Sequence, residues 1–364
     1  MIDFRKILTR AWHILWNYKT LWIFGILLAI TGGGTANGNG GSSSRTSSGN
    51  GLSGINPNSS PFLQNLNTWF QENIVPLFLH PEQHLATWIW IGVALLLLGL
   101  VVGAVFSILR YVSEAAVIRM VNEYEQTGTK VTFKQGWRMG WSRAAFRMWL
   151  IDLLIGLLSL PFIAVLAGLG LAAYLTTKGG MNTFALGSIV VSIACAFVFI
   201  LAFVLLMILL GLLGNFFKRY AALENTGVRD SFRRGWEMFK RNWKSASLMW
   251  LILLGVGIVY GVASLILTVF LIPVFIVLAL PGLIVAVVLA LAAFGIASLF
   301  TSSPLTWIIA LLVGAPFFLL VVGSPLLLIG GWAQIFNSTV WTLTYREMKA
   351  LEVVAPPQPA ASGQ

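Results

Sequence analysis

Between Ala246 and Tyr345 the chain runs for 100 residues without one Lys, Arg, Asp, Glu or His. Soluble domains carry about 25% charged residues and do not sustain such a stretch. A helix needs only about 20 apolar residues to span the ~30 Å hydrocarbon core of a bilayer. The tract therefore reads as several membrane crossings in succession. The rest of the chain agrees, with 58% of its 364 residues hydrophobic, 10% charged and a mean hydropathy of +0.86.

Four further uncharged or nearly uncharged runs have spanning length: Leu15 to Ile30, Thr87 to Ser107, Met148 to Leu175 and Phe184 to Phe216. The long tract is punctuated by Pro273, Pro281, Thr301 to Pro304, Pro316 and Pro325, where a helix is most easily ended or kinked. Crossings are expected near 247–271, 275–299, 305–323 and 325–346. The fold class is thus an all-α, polytopic integral membrane bundle of about eight helices. Six helices with a re-entrant hairpin inside the tract is the alternative.

All but two of the 23 Lys and Arg residues, Arg45 and Lys178, fall at the N-terminus, in 110–147, in 218–244 or at 346–349. The positive-inside rule puts those four regions, and with them both termini, in the cytoplasm. The first span follows basic residues as a signal peptide would. It reads as retained, because the amphipathic stretch before it recurs twice later.

That recurrence is a repeat. Glu125 to Met139 (EQTGTKVTFKQGWRM) and Glu224 to Met238 (ENTGVRDSFRRGWEM) share seven of fifteen positions without a gap. A looser copy is Phe4 to Lys19, with Arg10-Ala11-Trp12 in the place of Arg234-Gly235-Trp236. Three units follow, at 1–126, 127–225 and 226–352, the last carrying an inserted apolar hairpin and followed by a disordered tail at 353–364. Each reads as a basic amphipathic helix, an outward membrane helix and a returning one.

Phe232, Trp236, Phe239 and Trp243 fall at i, i+4, i+7 and i+11, one helical face. Arg229, Arg233, Lys240 and Lys244 line a neighbouring stripe. The other long connection pairs Phe133, Trp137 and Trp141 with Lys130, Lys134 and Arg138. Helices of this kind lie in the membrane plane, with rings at the acyl boundary and cations among phosphates. Anionic membrane lipid is the partner this implies, and the basic charge needs no nucleic acid. The bland alternative is that these are ordinary topology-setting connections with tryptophan belts. Gly136 and Gly235 suit close approach to a neighbouring helix, and Gly128 and Gly227 suit the preceding turn.

The segment from Tyr220 to Trp243 (YAALENTGVRDSFRRGWEMFKRNW), followed by a membrane helix, resembles the repeated juxtamembrane unit of a broad superfamily of bacterial polytopic membrane proteins. That superfamily includes the membrane domain of some glycerophosphodiester phosphodiesterases and several families of unknown function. The resemblance is sharpest over 219–250 and weaker over 110–150. It implies an all-helical bacterial plasma-membrane protein with an accessory role beside a lipid-acting enzyme or another membrane partner. The soluble phosphodiesterase domain and its His-Arg-Gly motif are absent, so that activity is not implied.

Other candidates are sparser. His80 and His84 stand at i, i+4 with Glu82 between them, a weak metal pair whose ordinary reading is an interfacial cap to the next helix. Residues 31–60 are rich in Gly, Ser and Asn and read as a flexible external loop, followed by an outer amphipathic helix at 61–79. Gln334, Asn337, Ser338, Thr342 and Tyr345 form a polar stripe that joins helices by hydrogen bonds or lines a solute path, the latter making the chain a small-molecule or lipid transporter. Asp152, near Arg143 and Arg147, is expected to pair with one of them or to be hydrated at the interface, a proton relay being the functional alternative. Gly99/Gly103 and Gly257/Gly261 are expected to pack within the chain, with a homo-oligomer as the other use of such motifs. Cys195 is the only cysteine. No nucleophile, base and metal set gathers anywhere and no cofactor motif is present, so the reading is a non-enzymatic scaffold without a cofactor.

Overall fold

The computed structural model describes residues 3–32, 85–178, 183–299 and 305–354. Nearly all of the 31–60 loop, the 61–79 helix, His80, His84 and the tail beyond 354 lie outside the described residues. Among those described, every regular element is a helix. In chain order they are α1 (Phe4–Asn17), α2 (Thr20–Ile30), α3 (Leu85–Thr127), α4 (Phe133–Gly140), α5 (Arg143–Lys178), α6 (Thr183–Leu223), α7 (Val228–Arg241), α8 (Trp243–Phe270), α9 (Ile272–Ser298), α10 (Leu305–Val322) and α11 (Ser324–Val354).

Five of these, α3, α5, α6, α8 and α9, contain segments long and apolar enough to cross a membrane. The number is seven if the bent pairs α1–α2 and α10–α11 each count as one span. Their apolar side chains are turned outward: Leu265 is 70% exposed and Phe270 74%. In water that surface would aggregate, whereas in lipid it is the ordinary outside of a span. This is the architecture of a helical membrane protein.

The uncharged tract forms four helices, α8 to α11, close to the expected intervals. Its prolines fall into two classes. Pro273 and Pro325 occupy the second position of α9 and α11, where the missing N–H belongs to a group the helix leaves unbonded anyway. Pro281 and Pro316, expected to end or kink a helix, lie inside α9 and α10, as Pro161 does inside α5.

The contacts divide the chain into two compact units. The first takes in residues 1–40, 107–267 and 326–364. Its core is built on the C-terminal stretches of α3 and α6 and the middle of α11, where Ala115 to Ile118, Phe216, Ala221, Ile335 and Trp341 are all but sealed. Against them pack the buried face of α1 (Ile7, Ala11, Ile14, Leu15) and of α2 (Leu21, Phe24, Leu28). α1 is capped by Asp3, whose Oδ1 accepts the Lys6 N–H at 3.1 Å. The chain then turns by 98° into α2. At that turn the Tyr18 hydroxyl donates to the Val131 carbonyl (2.9 Å) and accepts the Val131 N–H (2.6 Å), which fixes the approach to α4. Around the same turn Trp12, Trp16, Trp22, Trp332 and Phe336 form a chain of edge-on and tilted ring contacts.

One close helix crossing lies at Gly25 and Gly331, away from the expected motifs. A Cβ on Gly331 would stand 2.8 Å from the Gly25 carbonyl carbon and 2.9 Å from the Ile26 nitrogen. Gly99, Gly103, Gly257 and Gly261 have open space at their Cβ positions among the described residues. Spacing alone identifies a motif but not the helix that fills it.

The second unit takes in 41–106 and 268–325. Within it α9 and α10 lie antiparallel: Gly282 faces Phe318 and Val322, Gly314 lies against Ala286 and Ala290, and the Phe294 and Trp307 rings are 4.7 Å apart.

Candidate functional site

The two short helices α4 and α7 carry the residues singled out by the repeat. Each starts after a turn in the left-handed region. In the first copy that residue is Gly128 (φ 70°), as expected; in the second it is Asn225 (φ 51°), while Gly227 is extended at φ −63°. Asparagine tolerates the left-handed region better than other side chains, so the repeat changes residue and position without losing the turn. α4 is then held by the Thr132 N–H donating to Gln135 Oε1 at 3.2 Å.

An α-helix turns about 100° per residue, and three stripes follow one another around α7. Ser231, Gly235 and Met238 are buried against the bundle; Phe232, Trp236 and Phe239 come next; Arg229, Arg233 and Lys240 lie beyond them. The middle stripe is divided. Phe232 packs on Phe217 (4.4 Å between ring centres) and Phe239 is buried beside Phe216, while Trp236 stays open to the surroundings with the Lys240 ammonium over its ring at 5.7 Å. The helix ends at Arg241, so Trp243 and Lys244, expected on the same face, begin α8 instead, both exposed. Asn242 caps the break, its N–H reaching the Met238 and Phe239 carbonyls.

α4 repeats the order. Gly136 and Gly140 are buried, Phe133 and Trp137 form the next stripe with Trp141 at the helix end, and Lys134 and Arg138 are exposed beyond it, as is Lys130 ahead of the helix. Phe133 contacts Phe24 at 5.1 Å and Trp137 stacks on Trp141 at 6.2 Å. The buried glycines have the same use in both copies: a Cβ at Gly235 would stand 2.5 Å from Phe217, and one at Gly136 would collide with Met120. α1 departs from the pattern. Trp12 and Trp16 follow buried Ala11 and Leu15, but Lys6 and Arg10 lie on the opposite flank.

Beneath these helices lies a buried ionic cluster that sequence reasoning missed. Lys218 on α6 places Nζ 3.2 Å from Glu114 Oε1 on α3 and 2.8 Å from Asp152 Oδ2 on α5. Asp152 also accepts from the Tyr111 hydroxyl at 3.0 Å and has Arg110 at 3.9 Å. The expected partners Arg143 and Arg147 are not its ion-pair partners; Arg147 instead donates to the carbonyls of Asn225 and Thr226. The residue type gave the signal, since Asp152 is ionisable within a span, but its partners stand 42 and 66 positions away.

Three arginines tie α3, α6 and α11 into a ring. Arg119 on α3 donates to the Ala222 carbonyl and Asn225 Oδ1 at the end of α6, each at 2.8 Å. Arg219 on α6, nearly sealed, donates to the Ser338 carbonyl of α11 at 3.1 Å. Arg346 on α11 donates to the Asn122 carbonyl of α3 at 2.9 Å. The polar stripe of α11 runs through this ring. Ser338, Thr342 and Tyr345 are buried, Thr342 donating to its own helix at the Ser338 carbonyl (2.7 Å) and Tyr345 to Glu224 Oε1 (2.5 Å). Gln334, one turn before Ser338, and Asn337, next to it, are partly buried. Among the described residues no three His, Cys, Asp or Glu side chains converge as metal ligands would.

Glu224 is the junction of α6, α7 and α11. Burial pushes its carboxyl up, but hydrogen bonds from Lys349 and Tyr345 and the charges of Lys349 and Arg234 outweigh that and hold it below the ordinary carboxylate range. A carboxyl depressed by folding stabilises fully above its unfolded-state value of about 4.5, and that contribution is lost as pH falls through the lower folded value. In thermal melts of detergent-solubilised protein, the advantage of wild type over Glu224→Gln is expected to be constant from pH 7 to about 5 and to shrink below about 4.5. An advantage independent of pH down to pH 3 would remove the assigned ionic role.

No curated protein and no solved structure matches the chain. Residues 9–343 match a family of unknown function (DUF7544), a span that takes in part or all of every helix from α1 to α11, and the chain belongs to that family.

Proposed function

We propose that the protein is a non-enzymatic scaffold or accessory protein of the bacterial plasma membrane that engages anionic lipid at the cytoplasmic face through α4 and α7. The observation that carries this reading is the shared order of stripes on the two helices: buried, aromatic, cationic. One flank is docked on protein, the next offers Trp236, Trp137 and Trp141, and all of Lys130, Lys134, Arg138, Arg229, Arg233, Lys240 and Lys244 are exposed. Docking on the bundle fixes the depth of the helices, so the cations stand where phosphates lie, each contributing on the order of 1 kcal/mol near an anionic surface.

On this reading the bundle crosses the membrane eight times, counting α2, α3, α5, α6 and α8 to α11, with both termini cytoplasmic. The three units are the triplets α1–α2–α3, α4–α5–α6 and α7–α8–α11, with α9–α10 inserted in the last. The ring of Arg119, Arg219 and Arg346, each reaching from one returning helix to another, supports a threefold unit. The unit is the one that resembles the membrane domain of glycerophosphodiester phosphodiesterases, and a membrane-bound partner acting on lipid fits an accessory role.

The test uses full-length protein in phosphatidylcholine bilayers with trace spin-labelled phosphatidylglycerol or phosphatidylcholine. Electron paramagnetic resonance reads the fraction of each label immobilised at the protein. Phosphatidylglycerol is expected to be held several-fold more strongly. The preference falls toward unity when the seven cations are changed to Gln, and in ~1 M salt, where the Debye length is about 3 Å. Equal immobilisation of the two labels by wild type would overturn the lipid role.

A second reading, transport of a small molecule along α11, is favoured by one observation. Gln334 Oε1 and Ser338 Oγ are buried with no hydrogen-bond partner among the described residues. It requires solute flux in proteoliposomes that Gln334→Leu abolishes.

A further inference from the structure

A recess of about 420 Å³ opens between α6, α7 and α8, within the ~300–1,000 Å³ range of small-molecule sites. Its wall is the α6 face of Leu205, Ile208, Leu209 and Leu212, spaced i, i+3, i+4 and i+7, hence about 10 Å of apolar ridge along the span. The rest of the rim is the buried Phe239 ring, the Trp243 indole, the Ser247 hydroxyl and the Lys240 side chain. Among the described residues Lys240 is the only charged one lining it, and Lys244, across the break and in α8, is exposed. The recess exists because the helix breaks at Asn242: α7 ends, α8 starts in a new direction, and neither covers the α6 ridge below the corner.

An apolar slot beside a span, with a lysine side chain and an exposed indole on its rim, combines the two halves of an anionic phospholipid. We infer that the groove between α6 and the α7–α8 corner binds one anionic phospholipid, its acyl chain along Leu205 to Leu212 and its phosphate at Lys240. The inference rests on the proposed lipid role and sharpens it, replacing a general preference of the surface by one site of defined stoichiometry. The charge at the mouth selects an anionic head over a zwitterionic one, since the single lining charge is positive and exposed. The groove is too small for a protein helix, about 10 Å across with its side chains, and its apolar wall needs a tail that a free phosphate lacks.

Native mass spectrometry of the full-length protein in detergent, titrated with phosphatidylglycerol, reads occupancy directly. Wild type is expected to retain one lipid well beyond the statistical adducts. Ile208→Trp fills the slot and leaves every cation in place, so it should weaken that one site tenfold or more. Lys240→Gln should weaken it several-fold, and millimolar glycerol 3-phosphate should not displace the lipid. Leu205→Trp, at an exposed position of the same wall, replaces Ile208→Trp if the latter fails to fold. Unchanged occupancy in a folded groove-filled variant, or displacement by glycerol 3-phosphate, overturns the site. The anionic preference of spin-labelled lipid, measured on the same variants, separates the two claims: retained in wild type and in Ile208→Trp, it leaves the surface role standing whatever becomes of the groove.

Discussion

Lys218→Met is expected to destabilise the protein by about 3–5 kcal/mol, the usual cost of removing one partner of a buried ionic cluster. The ammonium is almost fully enclosed and serves two carboxylates at once, Glu114 at 3.2 Å and Asp152 at 2.8 Å. Removing it leaves Glu114 charged and enclosed with no cation in reach among the described ion pairs, whereas Asp152 keeps Tyr111 and Arg110. The two carboxylates therefore respond differently in combination. Adding Glu114→Gln to Lys218→Met should recover much of the loss, because the pair is then replaced by neutral groups of similar volume. Adding Asp152→Asn should recover less. Thermal unfolding in detergent measures all four proteins, and equal stability of Lys218→Met and wild type would show that the cluster is not a closed ionic unit.

The second large effect is expected where α2 meets α11. Gly331→Ala should cost about 1–3 kcal/mol by overpacking, since the added methyl meets backbone atoms of Gly25 and Ile26 below 3 Å, and backbone cannot rotate aside. Gly331→Leu should abolish the folded state. The neighbouring Gly330→Ala is the internal control. Its methyl would meet only the Ala29 Cβ at 3.8 Å, an ordinary contact, and alanine is the better helix former by about 1 kcal/mol. The prediction is a sign difference between adjacent positions for the same substitution, read from melting temperatures. Equal melting temperatures for Gly330→Ala and Gly331→Ala would mean the two helices do not cross at that point.

These two sites also show what a sequence of this kind discloses. The uncharged tract from Ala246 to Tyr345 was legible as four helices because its signals are local: run length, and prolines or polar residues at the ends. Prolines were legible only in part. Pro273 and Pro325 mark helix starts, but Pro281 and Pro316 sit inside helices, as membrane-embedded helices tolerate when neighbouring groups satisfy the freed carbonyl. The stripe order of α4 and α7 could be read from spacing, and so could the burial-prone glycines at 136 and 235. That Phe232 and Phe239 turn inward while Trp236 does not depends on α6, which spacing cannot see. Glu114 and Lys218 are 104 residues apart, each in a stretch that reads as an ordinary basic connection, so nothing in the order of residues announces the pair. Gly25 and Gly331, 306 positions apart, escape for the same reason, while Gly257 and Gly261 carry the familiar spacing and meet nothing among the described residues.

The central claim is that anionic lipid is held by the seven exposed cations on and beside α4 and α7. Its most direct measurement is the lipid content of protein excised from the cell membrane in polymer-bounded patches, without detergent. The account predicts that patches around wild type are enriched in anionic phospholipid over the bulk membrane. Patches around a folded variant with Lys130, Lys134, Arg138, Arg229, Arg233, Lys240 and Lys244 changed to Gln should match the bulk. Wild-type patches with the composition of the bulk membrane would contradict it.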